Sequence, residues 1–123
     1  MSETGGAPAS WEGSCHCGAV HVTLDSAPVE VTQCNCSLCR KTGFRGVYAA
    51  GDTVTIAGEL SGYVRSDMDE AMLTNWRCAK CGIATHWTPL TPPPHNRIGI
   101  NARLFDQALT AALPVNQVDG ASW

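Results

Sequence analysis

The seven cysteines of the chain fall into three groups whose internal spacing suits metal binding. The central group is Cys34-Asn35-Cys36-Ser37-Leu38-Cys39-Arg40, in which three thiols lie within six residues. Two pairs flank it along the chain, Cys15-His16-Cys17-Gly18 and Cys78-Ala79-Lys80-Cys81-Gly82. Zinc takes four protein ligands at a structural site, and three plus an open position at a catalytic site. The cysteines therefore divide into four and three, which predicts one closed and one open zinc site.

Disulfides and iron–sulfur clusters are the alternatives to zinc. The odd number of cysteines leaves at least one thiol over, and residues 1–13 have neither the basic start nor the apolar run of a secretory signal. Cysteine clusters without an export signal more often bind metal, and a C-x-C disulfide closes an unusually tight ring. The four-thiol set also suits an iron–sulfur cluster, but the central group lacks a fourth protein ligand. We expect zinc at both sites and a cytoplasmic protein.

Length and composition indicate one small domain. The chain has 123 residues, and we expect residues 1–10 to form a disordered lead-in and residues 11–123 to form a single zinc domain. The formal net charge is −3 and the eight Lys and Arg residues are scattered, which argues against a nucleic-acid partner. No apolar run approaches the length of a membrane span.

Short alternating segments predict a mostly β fold. Val20, Val22 and Leu24 alternate with polar residues, and the same period places Val29 and Val31 inward on the next strand. Turn residues separate the segments at short intervals, as in all-β or mostly β domains. We predict strands or strand-like segments at 19–24, 29–33, 44–50, 53–57, 60–65, 71–76, 83–88 and 97–102, short helices at 37–41 and 106–113, and a solvated acidic loop at 66–70.

From about Trp11 to Asp106, these cysteine motifs resemble the glutathione-dependent formaldehyde-activating enzyme family, which includes centromere-protein-V-like proteins. The resemblance rests on the order Gly-Ser-Cys-His-Cys-Gly, Cys-Asn-Cys-Ser-Leu-Cys-Arg and Cys-Ala-Lys-Cys-Gly. It implies a β-tent fold with little helix. It also implies a structural zinc on the outer cysteines and a catalytic zinc on the inner ones: Cys15, Cys17, Cys78 and Cys81 for the first, and Cys34, Cys36 and Cys39 for the second.

Two positions depart from the family pattern. Asn35 stands where the family often has His, and Arg77 stands where the family often has an aromatic residue. All seven cysteines are present, so the two departures bear on substrate identity rather than on metal binding.

Three thiolates make zinc a weaker Lewis acid than three histidines do, which disfavours generation of hydroxide. A soft substrate thiolate suits the open position, and the metal would lower the pKa of that thiol. This chemistry predicts addition of a small-molecule thiol to an aldehyde carbonyl, or the reverse. The resemblance implies glutathione and formaldehyde as the pair, S-hydroxymethylglutathione as the product, and carbon–sulfur lyase as the enzyme class.

Arg40 and Lys41 are candidates for binding the carboxylates of glutathione, because they directly follow the inner cysteines. His95 follows a proline-rich loop and is a candidate to line the pocket. The alternative for each is an ordinary solvated side chain. We interpret the other three histidines and three of the four tryptophans as structural rather than functional residues: His16, His21, His86, Trp11, Trp76 and Trp87.

Two other classes of function stay open at this point. A non-catalytic zinc-binding interaction module of β-tent fold would need only the outer cysteines. A thiol redox or metal-handling protein would use the inner cysteines as exposed thiolates. Because the inner cysteines occupy one short segment, we expect their metal to be more labile than the outer one.

Overall fold

Two β-sheets with little helix make up the described part of the chain, residues 10–90 and 97–122 of a computed structural model. This architecture confirms the prediction of a mostly β, β-tent-like fold. The strands are β1 Trp11–Ser14, β2 His21–Leu24, β3 Val31–Cys34, β4 Gly46–Ala50, β5 Val54–Ala57, β6 Leu60–Val64, β7 Leu73–Cys78, β8 Ala84–Pro89, β9 Arg97–Asn101 and β10 Val115–Val118; the α-helices are α1 Ser37–Thr42 and α2 Gln107–Ala111.

The smaller sheet has the strand order β1-β2-β5 and the larger sheet the order β10-β3-β4-β9-β8-β7-β6. Neighbouring strands are antiparallel except for β10, which runs parallel to β3. The short connection Gly58-Glu59 carries the chain from the smaller sheet into the larger one. Consequently the cysteine pair after β1 and the pair around the β7–β8 turn belong to different sheets.

The main hydrophobic core draws on strands of both sheets. Val22 and Leu24 of β2 are fully buried, as their alternation predicts, and the Trp11 and Phe105 rings pack with centroids 5.4 Å apart. Val29 contradicts its predicted inward position, since its side chain is 82% exposed. The reason is that β3 begins only at Val31, so the alternation of that strand does not extend back to residue 29.

Both predicted helices are present, and local hydrogen bonds define the end of α1 and the start of α2. Gly43 ends α1 in the left-handed conformation, with φ of 75°, and its N–H donates to the carbonyl of Cys39. Asp106 caps α2 by accepting from the N–H of Ala108 at 2.9 Å. Within residues 10–90 and 97–122, no helix is long and apolar enough to cross a membrane. The predicted lead-in falls almost entirely on residues 1–9, outside the described part.

Candidate functional site

The four outer cysteines converge into one cluster, with all four sulfurs within 4.8 Å of one another. Cys15 and Cys17 follow β1, while Cys78 ends β7 and Cys81 lies in the turn before β8. Neighbouring sulfurs are 3.6 Å apart in this cluster, well beyond the roughly 2.05 Å of a disulfide bond. A metal held here would join the two sheets.

Backbone amides point at the outer sulfurs, as expected around thiolate ligands. The N–H of Val20 donates to Cys15 Sγ at 3.3 Å, and the N–H of Lys80 donates to Cys78 Sγ at 3.3 Å. Hydrogen bonds from the backbone, of which that from Ile83 has the largest effect, lower the pKa of the Cys81 thiol to about 6. The N–H of Ala19 favours the Cys17 thiolate, but burial and the neighbouring thiols outweigh it and raise the pKa of Cys17 to about 11. The outer thiols therefore differ in how readily they ionise, and a cation bound here would neutralise the thiolates that form.

The three inner cysteines form a second cluster, whose sulfurs also lie within 4.8 Å of one another. Cys34 ends β3, Cys36 is the N-cap of α1, and Cys39 lies within that helix. The N–H of Cys39 donates to Cys36 Sγ at 3.4 Å. The Cys36 thiol therefore caps the helix and is also one of the three sulfurs of the cluster. Three converging sulfurs leave a fourth tetrahedral position to a ligand from outside this cluster.

The inner thiols differ in how readily they ionise. Burial opposes ionisation of Cys36, but the N–H of Cys39, the neighbouring thiols and the charge of Arg65 hold its pKa below its usual value. Burial raises the pKa of Cys39, and the adjoining Cys36 raises it further. Metal binding must therefore release at least one proton, from the thiol of Cys39.

Arg65, which follows β6, lies beside the inner cluster and was not among the residues predicted from sequence. Its guanidinium donates to both oxygens of Asp67, at 2.9 and 2.7 Å, and to Ser37 Oγ at 3.1 Å. The side chain is only 18% exposed, and the ion pair lowers the pKa of Asp67 to about 2. Residues 66–70 are exposed, as predicted for this acidic loop, and within it Asp67 pairs with the positive charge of Arg65 beside Cys36.

A segment distant in sequence also contacts the inner cluster. β10 pairs with β3 in a register that places Val118 opposite Cys34. Residues Asp119–Ser122, here called the cap segment, continue from β10 past the cysteines. The side chain of Asn35 donates to Asp119 Oδ1 at 2.9 Å and accepts from the N–H of Ala121 at 2.8 Å. Sequence reasoning missed this contact, whose partners are more than eighty residues apart.

The predicted substrate-binding residues lie in different settings. Arg40 and Lys41 occupy the last turn of α1 with exposed side chains, adjacent in sequence to Cys39. His95 falls in residues 91–96, outside the described part. His86 is buried and its Nδ1 hydrogen-bonds Thr85 Oγ1 at 2.9 Å, in keeping with a structural histidine.

Trp76 fits its structural interpretation as well. Its indole stacks on the His86 ring with centroids 6.2 Å apart, and its Nε1 donates to Thr88 Oγ1 at 2.9 Å. Arg77, the second departure from the family pattern, is exposed beside a β-bulge of β7.

Comparison with known proteins gives one family. The sequence profile described as "Glutathione-dependent formaldehyde-activating enzyme" matches residues 10–118. A Halomonas elongata protein, provisionally named a glutathione-dependent formaldehyde-activating enzyme, is 34% identical over an alignment of 96 residues. The match covers 67% of this chain and 61% of that protein. The chain thus spans about three fifths of that relative.

A crystal structure of a Rhodobacter sphaeroides protein is similar to this chain with a TM-score of 0.61. The superposition covers 85% of this chain and 99% of that one, at 24% identity. At this identity the likeness is one of fold.

Proposed function

The chain belongs to the glutathione-dependent formaldehyde-activating enzyme family, and from that membership we propose that it joins glutathione to formaldehyde, or catalyses the reverse. The product is S-hydroxymethylglutathione, which makes the protein a carbon–sulfur lyase. The observation that carries this proposal is the inner cluster, in which three thiols converge separately from the complete set of four. A purely structural domain has no use for a three-ligand site.

The residues present fit zinc at both clusters. Thiolates are ligands that zinc takes in Cys₄ sites, and four sulfurs within 4.8 Å complete such a set at the outer cluster. The inner cluster offers three sulfurs of the same kind at the same spacing. When bound there, zinc would supply one exchangeable coordination position that suits a soft sulfur ligand and lowers the pKa of a thiol.

The proposed reaction balances without an oxidant or reductant. The sulfur of glutathione forms a bond to the carbonyl carbon of formaldehyde, the carbonyl π pair moves to oxygen, and the thiol proton ends on that oxygen. The reverse reaction breaks the same carbon–sulfur bond and regenerates both partners. The site must therefore favour a thiolate and hold it near a small aldehyde.

Charged residues around the inner cluster have complementary roles in this proposal. Arg65 sits within reach of Cys36 and partly offsets the negative charge of the thiolates. Arg40 and Lys41, which directly follow Cys39 on α1, bind the carboxylates of glutathione. The exposed position of both side chains leaves them accessible to a ligand from solvent.

Exchange spectroscopy tests the proposal directly. Glutathione and formaldehyde combine spontaneously, so the measurement is NMR exchange between free and adducted glutathione, with and without the zinc-loaded protein. We expect the protein to accelerate this exchange and the matched variant Cys36→Ser to leave it at the spontaneous rate. Two bound zinc ions per chain and no acceleration would favour the alternative, a non-catalytic zinc-binding interaction module.

A further inference from the structure

Asn35 is held at three points by the strand and segment that follow Pro114. Its backbone N–H donates to the carbonyl of Val118 at 3.2 Å, which continues the β3–β10 pairing by one residue. Its side-chain amide donates to Asp119 Oδ1 and accepts from the N–H of Ala121. Both ends of the amide are used, so an aliphatic or purely anionic side chain could not make the same pair of bonds.

Gly120, between those two partners, packs directly on the inner cluster. It is buried, and a Cβ built on it would lie 2.5 Å from Cys34 Sγ and 3.1 Å from Cys36 Cβ. Real Cβ atoms essentially never lie within 3.0 Å of such an atom, so the approach to Cys34 Sγ means that any larger residue would displace either the sulfur or the cap segment. The cap segment therefore bounds the space that the Cys34 sulfur can occupy.

Cys34 needs such a boundary more than the other two inner cysteines do. Cys36 and Cys39 are fixed by α1, one as its N-cap and one within its turns. Cys34 lies before the helix, separated from it by Asn35. Its backbone ends β3 opposite Val118 of β10, and its sulfur contacts the N–H of Cys36, at 3.5 Å, and the cap segment.

We propose that Asn35 is a positioning residue for the inner metal site. It holds the cap segment on Cys34, and the cap segment keeps that sulfur converged with the two sulfurs that α1 carries. The inference rests on the proposed function in one respect, namely that the inner cluster binds metal. It gives the Asn35 departure from the family pattern a specific structural role.

An exchange of hydrogen-bond donor and acceptor tests this inference. In N35D a carboxylate would face Asp119, so the bond between them is replaced by repulsion, while the bond from Ala121 can persist. In N35D/D119N an amide again faces a carboxylate, with donor and acceptor exchanged and the net charge of the wild type restored. N116D is the matched control, because Asn116 is exposed on β10 of the same segment.

Cobalt(II) is the probe, added to full-length protein whose outer site retains zinc. Its sulfur-to-metal charge-transfer absorption reports assembly of a thiolate site. We expect N35D to weaken cobalt binding at the inner site by about 10-fold or more, the range typical of residues that orient metal ligands. N35D/D119N should recover most of the affinity and N116D should match the wild type. An added negative charge alone would strengthen cation binding, so electrostatics predicts the opposite sign for N35D.

Alkylation supplies a second readout that needs no metal. After mild chelation, iodoacetamide labelling resolved by peptide mass spectrometry should modify Cys34 faster in N35D than in the wild type, relative to Cys36, and the double variant should reverse this. G120A, which leaves the Asn35 side chain itself unchanged, should also weaken cobalt binding. Unchanged affinity and unchanged Cys34 labelling in N35D would overturn the inference. No cobalt binding by the wild type would instead overturn the proposed function, and the labelling ratio would still decide the role of Asn35.

Discussion

Replacing one cysteine in each cluster should separate the two sites by their effect on folding. Cys78 is 1% exposed, and its sulfur lies 3.6 Å from that of Cys17, sixty-one residues away in the chain. It also accepts N–H donors from Lys80 and Cys81 at 3.3 and 3.4 Å. Cys78→Ser removes a ligand from the cluster that joins the two sheets.

The size of the effect follows from the stability of small domains. Structural zinc in zinc-finger peptides contributes about 10–16 kcal/mol of apparent binding free energy, whereas whole domains are stable by about 5–15 kcal/mol. Losing even about 4 kcal/mol of that contribution lowers the melting temperature by roughly 15 °C for a domain of this size. We therefore expect Cys78→Ser to be unfolded or to melt at least about 15 °C below the wild type.

Cys36→Ser is the matched control, because the position tolerates a hydroxyl. Cys36 is the N-cap of α1 and accepts the N–H of Cys39 through its side chain. Serine is among the preferred N-cap residues, so its oxygen should accept the same bond. We expect a cost of about 1 kcal/mol, or roughly 4 °C, with loss of the inner metal.

Thermal melts followed by circular dichroism, with zinc counted per chain before each melt, measure the stability of the two variants and test this difference. The expected outcome is a folded Cys36→Ser protein with the outer zinc only, and a destabilised Cys78→Ser protein. Equal losses of melting temperature in the two variants, or a larger loss in Cys36→Ser, would refute the division into a structural and a catalytic cluster.

Three further outcomes are expected. Arg40→Ala should raise KM for glutathione more than it lowers kcat, and a pure kcat defect would contradict a carboxylate-binding role. A mild chelator should remove the inner metal before the outer one, measured as zinc and free thiols against time; loss at one rate would contradict this order. Burial lowers the pKa of His86 to about 4, below its usual 6.5, so its contribution to stability is complete above about pH 6.5 and is lost as pH falls towards 4. Urea unfolding should show about 3 kcal/mol less acid destabilisation in His86→Gln than in the wild type.

The features predicted correctly from sequence depend on neighbours in the chain. The spacing of Cys34, Cys36 and Cys39, and of the cysteines within each outer pair, places their sulfurs within reach through local backbone geometry. The joining of the two outer pairs into one cluster spans sixty-one residues, and it was predicted from the number of cysteines and the family resemblance instead. Local geometry also governs α1, where the stop at Gly43 follows from the freedom of glycine at positive φ. Alternating Val and Leu residues likewise identified β2, because one face of that strand is buried.

The features that sequence reasoning missed depend on contacts between distant segments. β10 carries exposed side chains at residues 115–117, so it lacks the alternation of a half-buried strand. Its pairing with β3, and the hydrogen bonds between Asn35 and the cap segment, join residues more than eighty positions apart. Sequence reasoning missed Arg65 for the same reason. Its contact with Ser37 spans twenty-eight residues, and the sequence that follows it predicts only a solvated loop.

The two clusters thus differ in what surrounds them as well as in their number of ligands. Cys15 and Cys78 form a small buried cluster with Val20, and the outer cysteines adjoin strands of both sheets, so loss of a metal bound there would open the fold. The inner sulfurs come from one six-residue stretch. Arg65 and the cap segment lie beside them and belong to segments that contribute no cysteine to either cluster. Substitutions in those two segments can change the charge and the shape of the inner site while every cysteine stays in place.

We therefore expect differences in substrate among proteins with these cysteine motifs to follow the residues at positions 35, 65 and 119–122 rather than the cysteines themselves. Exchanging those residues between two such proteins and comparing kcat/KM for a panel of aldehydes would test this, and unchanged preferences would contradict it.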